Sequence, residues 1–200
     1  SDWGEFPYGW RYLQRRRPDG SIEFEQIPLT LMDALHPRED DQIPSNSIQN
    51  QLVRSITNAI EAVVRGRENV MVLNDILIDW GVAGIKAMSP DIAVFFGATV
   101  EGLITTYHVP EAGVTTAVVI EVTSPSTRGL DVANKVDLYA RCGVPRYVII
   151  DVKYVRRGEQ VQSIELKDYH AGEAGFELRR LDDSGVVWLE MLGLGLKVEG

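Results

Sequence analysis

The sequence predicts an α/β domain: a mixed central sheet flanked by helices, with extra N-terminal and C-terminal β-hairpins. Three observations predict it. The runs at 91–96, 117–123 and 146–153 are short, apolar and rich in β-branched residues, as strands buried on both faces are. A helix-period segment at 131–141 separates the last two, so they read as a right-handed crossover unit with parallel strands. A longer segment at 45–65 keeps helical spacing and precedes the strands.

Each element has a local signature. Residues 1–20 are aromatic and basic and end at the turn Pro18-Asp19-Gly20, and 21–28 reads as a short strand. A short helix over 29–35, capped by Thr30, stops before His36-Pro37. In the first long helix Ile48, Leu52, Ile56, Ala59, Ile60 and Val63 form one stripe, and Gly66 is the stop signal. The run 70–80 reads as a strand interrupted at Asn74-Asp75. Ser124 to Gly129 is a loop, and Cys142-Gly143-Val144-Pro145 ends the second helix. From Gly158 onward, turns at Gly172, Gly175 and Gly185 indicate short hairpin strands. The expected organisation is one domain over 1–200: an arm at 1–44, a core at 45–155 and hairpins at 156–200.

Composition bounds the function. With 200 residues and 44% hydrophobic content the chain suits a domain with a sizeable core. No apolar stretch approaches the roughly 20 residues that span a bilayer, so no membrane partner is expected. No signal peptide is evident at the start, and the one cysteine, Cys142, reads as core; both fit the reducing cytoplasm. A net charge of -9 argues against a coat on nucleic acid but not against a nuclease, since bound metal supplies local positive charge. The basic groups at Arg11 with Arg15–Arg17, Arg65 with Arg67, Arg156-Arg157 and Arg179-Arg180 read as solvated surface. His36, His108 and His170 lie far apart without ligand spacing, which argues against zinc.

The chemistry concentrates around Glu121. An ionised carboxylate inside Thr116-Ala117-Val118-Val119-Ile120-Glu121-Val122-Thr123 needs a cation, a metal or a proton. Pro90-Asp91, opening the preceding strand, offers a second carboxylate. On a wheel of about 100° per residue, Leu138, Cys142, Tyr139, Val132, Gly143, Val136 and Ala140 form the apolar arc of the second helix. Lys135 falls inside that arc, and so does Asp131, near Leu138, while Asn134, Asp137 and Arg141 lie opposite. Two carboxylates and a lysine are the minimal parts of a magnesium-dependent phosphodiesterase. Asp91 and Glu121 would hold Mg2+ or Mn2+ through oxygen, with the Val122 carbonyl as a third ligand. Lys135 would orient water or stabilise phosphate charge, and Ser124 and Arg128 would meet a phosphate. The bland alternative makes Asp131 and Lys135 an ordinary i,i+4 pair and satisfies Glu121 with a surface arginine. Asp75 and Asp79 read as solvated strand ends, and Asp151 as a structural residue ending a strand.

These residues resemble the PD-(D/E)xK nuclease signature: Ser89-Pro90-Asp91, then Ile120-Glu121-Val122, then Lys135. The longer string Glu121 to Thr127, Asp131, Lys135, Tyr139, Gly143-Val144-Pro145-Arg146-Tyr147 and Asp151 is similar to the Uma-two family of predicted restriction endonucleases. Pro28-Leu29-Thr30 with Leu35-His36-Pro37 resembles one branch of it, so the likeness runs from about residue 8 to 195. The resemblance implies the restriction-endonuclease-like fold, with Asp91 and Glu121 as metal ligands and Lys135 as the catalytic lysine. Two departures stand out. Thr123 occupies the place two residues after the glutamate where the common pattern has lysine. Where many relatives carry a histidine at the start of the first long helix, this chain has Ser45, Asn46, Ser47 and Gln49. The expected activity is DNA phosphodiester hydrolysis by a homodimer. The alternatives are a non-catalytic DNA- or protein-binding module on the same fold, and a phosphodiesterase of RNA or a nucleotide.

Overall fold

The computed structural model describes residues 9–30, 33, 38, 40–42, 47–99, 102–109, 114–123, 128–154 and 161–198. Its centre is a six-stranded mixed sheet. In chain order the elements are β1 (Trp10–Arg16), β2 (Ile22–Pro28), α1 (Ser47–Val64), β3 (Val70–Leu73), β4 (Leu77–Asp79), β5 (Ile92–Phe96), β6 (Thr106–His108), β7 (Thr115–Val122), α2 (Arg128–Arg141), β8 (Arg146–Tyr154), β9 (Val161–Gly172), β10 (Gly175–Arg179), β11 (Val187–Leu189) and β12 (Leu194–Leu196). The sheet order is β10-β9-β8-β7-β5-β3. Only β7 and β8 are parallel in it, joined across α2 as the strand–helix–strand pattern predicts.

Alternation along the strands sends side chains to two cores. On one face Ile92, Val94, Val118, Ile120, Val122, Val148, Ile150 and Val152 pack against Ile60 and Val64 of α1 and against Val187, Leu189 and Leu192 of the C-terminal hairpin. On the other, Ala93, Phe95, Val119, Tyr147 and Ile149 meet Tyr139 of α2 and Ile78, Trp80 and Met88 around β4. β7 therefore lies in the interior of the sheet and is buried on both sides except at Thr115, which is why its sequence reads as one apolar run.

The structure differs from the sequence reading in particular places. Thr57, Ile60 and Val64 of α1 are buried and Leu52, Val53, Ile56 and Val63 half-buried, while Ala59 is exposed, a small rotation of the expected face. The interruption at Asn74-Asp75 is real and has a cause: Asp75 adopts φ 53°, so the run splits into β3 and β4, and β4 leaves the main sheet to pair in parallel with β6. The short strands expected after Gly158 are instead headed by a 12-residue strand, β9, which with β10 extends the central sheet. Its polar residues hid its length, because both of its faces mix core residues with ion pairs: Asp168 with Arg146 on one, Glu165 with Lys153 and Lys167 with Asp151 on the other. Arg11, read as solvated, is buried; it donates to Asp41 at 2.7 Å and to Asp33 at 2.9 Å. Arg67 donates to the carbonyls of Met191 and Leu192, both at 3.0 Å, and ties the end of α1 to the C-terminal segment. Thr30 and Asp33 exchange hydrogen bonds as a helix cap does, while residues 31, 32, 34 and 35 of the expected helix, Ser124 to Thr127, His36 and Arg156-Arg157 lie outside the described residues.

Candidate active site

The site forms where β5 ends and β7 continues. The two strands pair antiparallel with Ile92 opposite Ile120, so the next residues in register are Asp91 and Glu121. Pro90 has no N–H to donate and precedes the last ladder pair, so the sheet stops there. The backbone groups of Val122 that would have bonded a longer β5 find side chains instead. Its N–H donates to Asp91 Oδ2 at 2.7 Å, and its carbonyl accepts from Gln49 Nε2 of α1 at 2.9 Å.

Glu121 points to the α2 side and is buried. Its Oε1 accepts from Lys135 Nζ at 3.1 Å and from Tyr139 Oη at 2.8 Å. Among the described residues its Oε2 accepts nothing. Lys135 and Tyr139 are four residues apart, one turn of α2, so a single helix face delivers both donors. The Lys135 side chain keeps only 14% of its surface in water, as the wheel placed it, and Asn134, Asp137 and Arg141 are outside. The Tyr139 ring is wedged edge-on to Trp80 at 5.6 Å and against Tyr147 at 4.9 Å. Burial, and then the Glu121 charge, hold its hydroxyl well above the usual phenol range, so it remains a donor.

Asp91 is partly buried, and its carboxyl is pushed up to about 7. Burial is the main cause and the neighbouring Glu121 charge the next; Lys135, the Val122 N–H and a hydrogen bond from Gln49 pull the other way. Two carboxylates placed so that one resists ionisation beside the other form a site short of positive charge. An all-oxygen pair of that kind fits a hard divalent cation.

Of the residues expected in the site, the structure brings together Asp91, Glu121, Val122 and Lys135. Ser124 is outside the described residues; Arg128 opens α2, and neither its side chain nor that of Asp131 is described. Asp79 is elsewhere: it accepts from the Gly81 N–H at 2.8 Å and lies 3.2 Å from His108 Nδ1. Asp75 follows β3, where burial raises its carboxyl, and among the described residues no group of three or more His, Cys, Asp or Glu is placed to hold a metal. Cys142 packs on the core, where burial pushes its thiol up to about 11.

Two contributors had no assigned role in the sequence reading, and a third was read as structural without its partners. Tyr139 stood in the apolar arc and in the family-like string without a role of its own, although its spacing from Lys135 carried the signal. Gln49 continues the stripe of Val53 and Ile56 one turn earlier, so a polar residue opening that stripe pointed at the sheet end. The third is a row beside Glu121: Asp151, inside β8 rather than at its end, is buried and accepts from Thr123 Oγ1 at 3.1 Å and Lys167 Nζ at 3.0 Å. Thr123, where the common nuclease pattern has lysine, thus serves the sheet: its hydroxyl also accepts from the Val152 N–H at 3.1 Å.

Comparison with known proteins places the family and the fold. A search of curated protein sequences finds no significant match. Among solved structures the fold is similar to a "putative nuclease belonging to DUF820" from Anabaena variabilis, with a TM-score of 0.54 at 13% identity, covering 92% of this chain and 86% of that one. At that identity the likeness concerns the fold, which is restriction-endonuclease-like. The family described as "Uma2: Putative restriction endonuclease" matches residues 40–197, from just before α1 to just past β12. A match over that span means that the chain belongs to the Uma2 family.

Proposed function

We propose that the protein is a metal-dependent endonuclease that hydrolyses phosphodiester bonds in DNA. The observation that carries this reading is the pairing of Asp91 and Glu121 across the end of β5, with Lys135 and Tyr139 on one oxygen of Glu121. Asp91 and Glu121 would hold Mg2+ or Mn2+, with the second lone pair of the Val122 carbonyl available beside the Gln49 bond. The chemistry such an ion supplies when bound is polarisation of the scissile phosphate and a lowered pKa for the attacking water. The chain's own groups do the rest. Lys135 keeps an ammonium at the carboxylate, where it can face negative charge developing on a phosphate oxygen. Tyr139 fixes the Glu121 carboxylate, and the Val122 N–H fixes Asp91, so both are oriented before substrate arrives. Ser124, ahead of α2 in the sequence, and Arg128, its first residue, are the proposed phosphate contacts, and a homodimer is the proposed assembly.

Cleavage of supercoiled plasmid with magnesium or manganese tests the reading, with Glu121→Gln purified in parallel. Wild type should nick in a metal-dependent way, and Glu121→Gln should lose at least about a hundredfold, the scale of one preorganised electrostatic group. Equal cleavage by both proteins, or none by wild type, would remove the nuclease assignment and favour a binding module on this fold.

A further inference from the structure

The β1–β2 hairpin forms its own two-stranded sheet and is held at its base to the chain segment that follows it. There Trp10 and Gln42 exchange backbone hydrogen bonds at 3.0 and 2.7 Å, and Arg11 is clamped by Asp33 and Asp41. Beyond that base both faces are open to water, which an isolated two-stranded ribbon tolerates poorly. The two faces differ sharply in charge. On one, Arg15 is neutralised by Glu25 at 2.5 Å and Arg17 by Glu23 at 2.8 Å. The register puts Tyr12, Gln14, Arg16, Ile22, Phe24 and Gln26 on the other. Phe24 is 65% exposed, Ile22 55% and Tyr12 51%, and the face carries no carboxylate. Asp19 sits in the turn, where it accepts from the Ser21 N–H and hydroxyl.

From this sorting we infer that the carboxylate-free face of β1–β2 docks on duplex DNA; the inference rests on the reading of the protein as acting on DNA. In a chain of net charge -9, this face joins an arginine with no carboxylate beside it to two amides and exposed apolar rings. That chemistry suits a groove: arginine reads guanine, glutamine reads adenine, and apolar side chains meet the thymine methyl. A two-stranded ribbon also fits the major groove, which is about 12 Å wide. Self-association through the face is disfavoured by the same facts. A two-fold contact lays the face on its own copy, and Arg16 would meet a surface with no acid to receive it.

The test is binding of a short labelled duplex by the full chain in EDTA, followed by fluorescence anisotropy over a range of salt. Tyr12→Ser with Phe24→Ser should weaken binding about tenfold or more. Arg16→Gln should weaken it several-fold and lower the salt slope by about one. Arg15→Gln, on the neutralised face, should change neither. Circular dichroism melts matching wild type confirm that the exposed substitutions leave the fold intact. Binding unchanged in the Tyr12/Phe24 and Arg16 variants, or no binding by wild type, overturns the inference. So does a double variant that binds DNA normally but sediments as a smaller species, which would make the face a self-association surface. Hairpin-dependent binding without metal-dependent cleavage would uphold this inference and remove the nuclease reading; cleavage with hairpin-independent binding would do the reverse.

Discussion

At the scale of single residues, the site is defined by how two carboxylates are kept apart in behaviour. Glu121 has two donors on one oxygen. Asp91 has the Val122 N–H and Gln49, yet burial and the charge of Glu121 raise its carboxyl from 3.8 to about 7. The sign follows from proton counting. Between about pH 4 and 7 folded Asp91 holds a proton that the unfolded chain has released, so its contribution to stability is complete below that window and is lost as pH rises through it. Urea unfolding of the metal-free protein should therefore show wild type losing stability relative to Asp91→Asn from pH 4 to 7, because asparagine resembles the protonated acid and cannot ionise. Parallel profiles for the two proteins would show that Asp91 ionises at its ordinary pH.

At the scale of elements, α2 is the carrier of the site, and its end is built to hold it. The Gly143 N–H donates to the Ala140 carbonyl at 3.0 Å and the Val144 N–H to the Tyr139 carbonyl at 3.1 Å, with Gly143 at φ 72°, the pattern of a Schellman cap. A Cβ at Gly143 would meet no atom within 4 Å, so only the backbone conformation resists a side chain there. Gly143→Ala should cost about 1–2 kcal/mol, and Gly143→Asn less, since asparagine enters the left-handed region more readily. Chemical denaturation of the two variants beside wild type checks this. An alanine variant as stable as wild type would mean that the cap does not need this conformation. Because Tyr139 lends its carbonyl to the cap and its hydroxyl to Glu121, the end of the helix and the site share one residue.

For the whole molecule, the two faces of the sheet are closed by different means, and a buried ion network joins the later strands to the C-terminal segment. Arg146, 4% exposed at the start of β8, grips Asp168 of β9 through Nε at 2.9 Å and Nη2 at 2.8 Å and reaches Glu190 with Nη1 at 2.7 Å. His170 Nε2 is a further neighbour of Asp168, at 2.9 Å. Removing the guanidinium leaves a buried carboxylate without its cation, so Arg146→Ala should destabilise by about 3–5 kcal/mol. Lysine has no planar fork to match the carboxylate, so Arg146→Lys should recover less than half of the loss. Full recovery by lysine in equilibrium urea unfolding would contradict the two-pronged geometry as the source of the stability.

What the sequence alone determined was whatever depends on local periodicity or on an isolated misfit. The buried strands announced themselves by apolar runs, the crossover by strand–helix–strand order, the end of α2 by Gly143, and the catalytic candidates by a carboxylate and a lysine in places that should be apolar. Only the tertiary structure decided which distant groups answer one another. Gln49 and Val122 are 73 positions apart, and Asp151 and Lys167 meet across two strands; neither pairing has a periodic signature. The length of β9 and the burial of Arg11 were hidden for the same reason. Polar residues read as surface until partners supplied from elsewhere in the chain cancel their charge, and only the folded chain brings those partners within hydrogen-bonding distance.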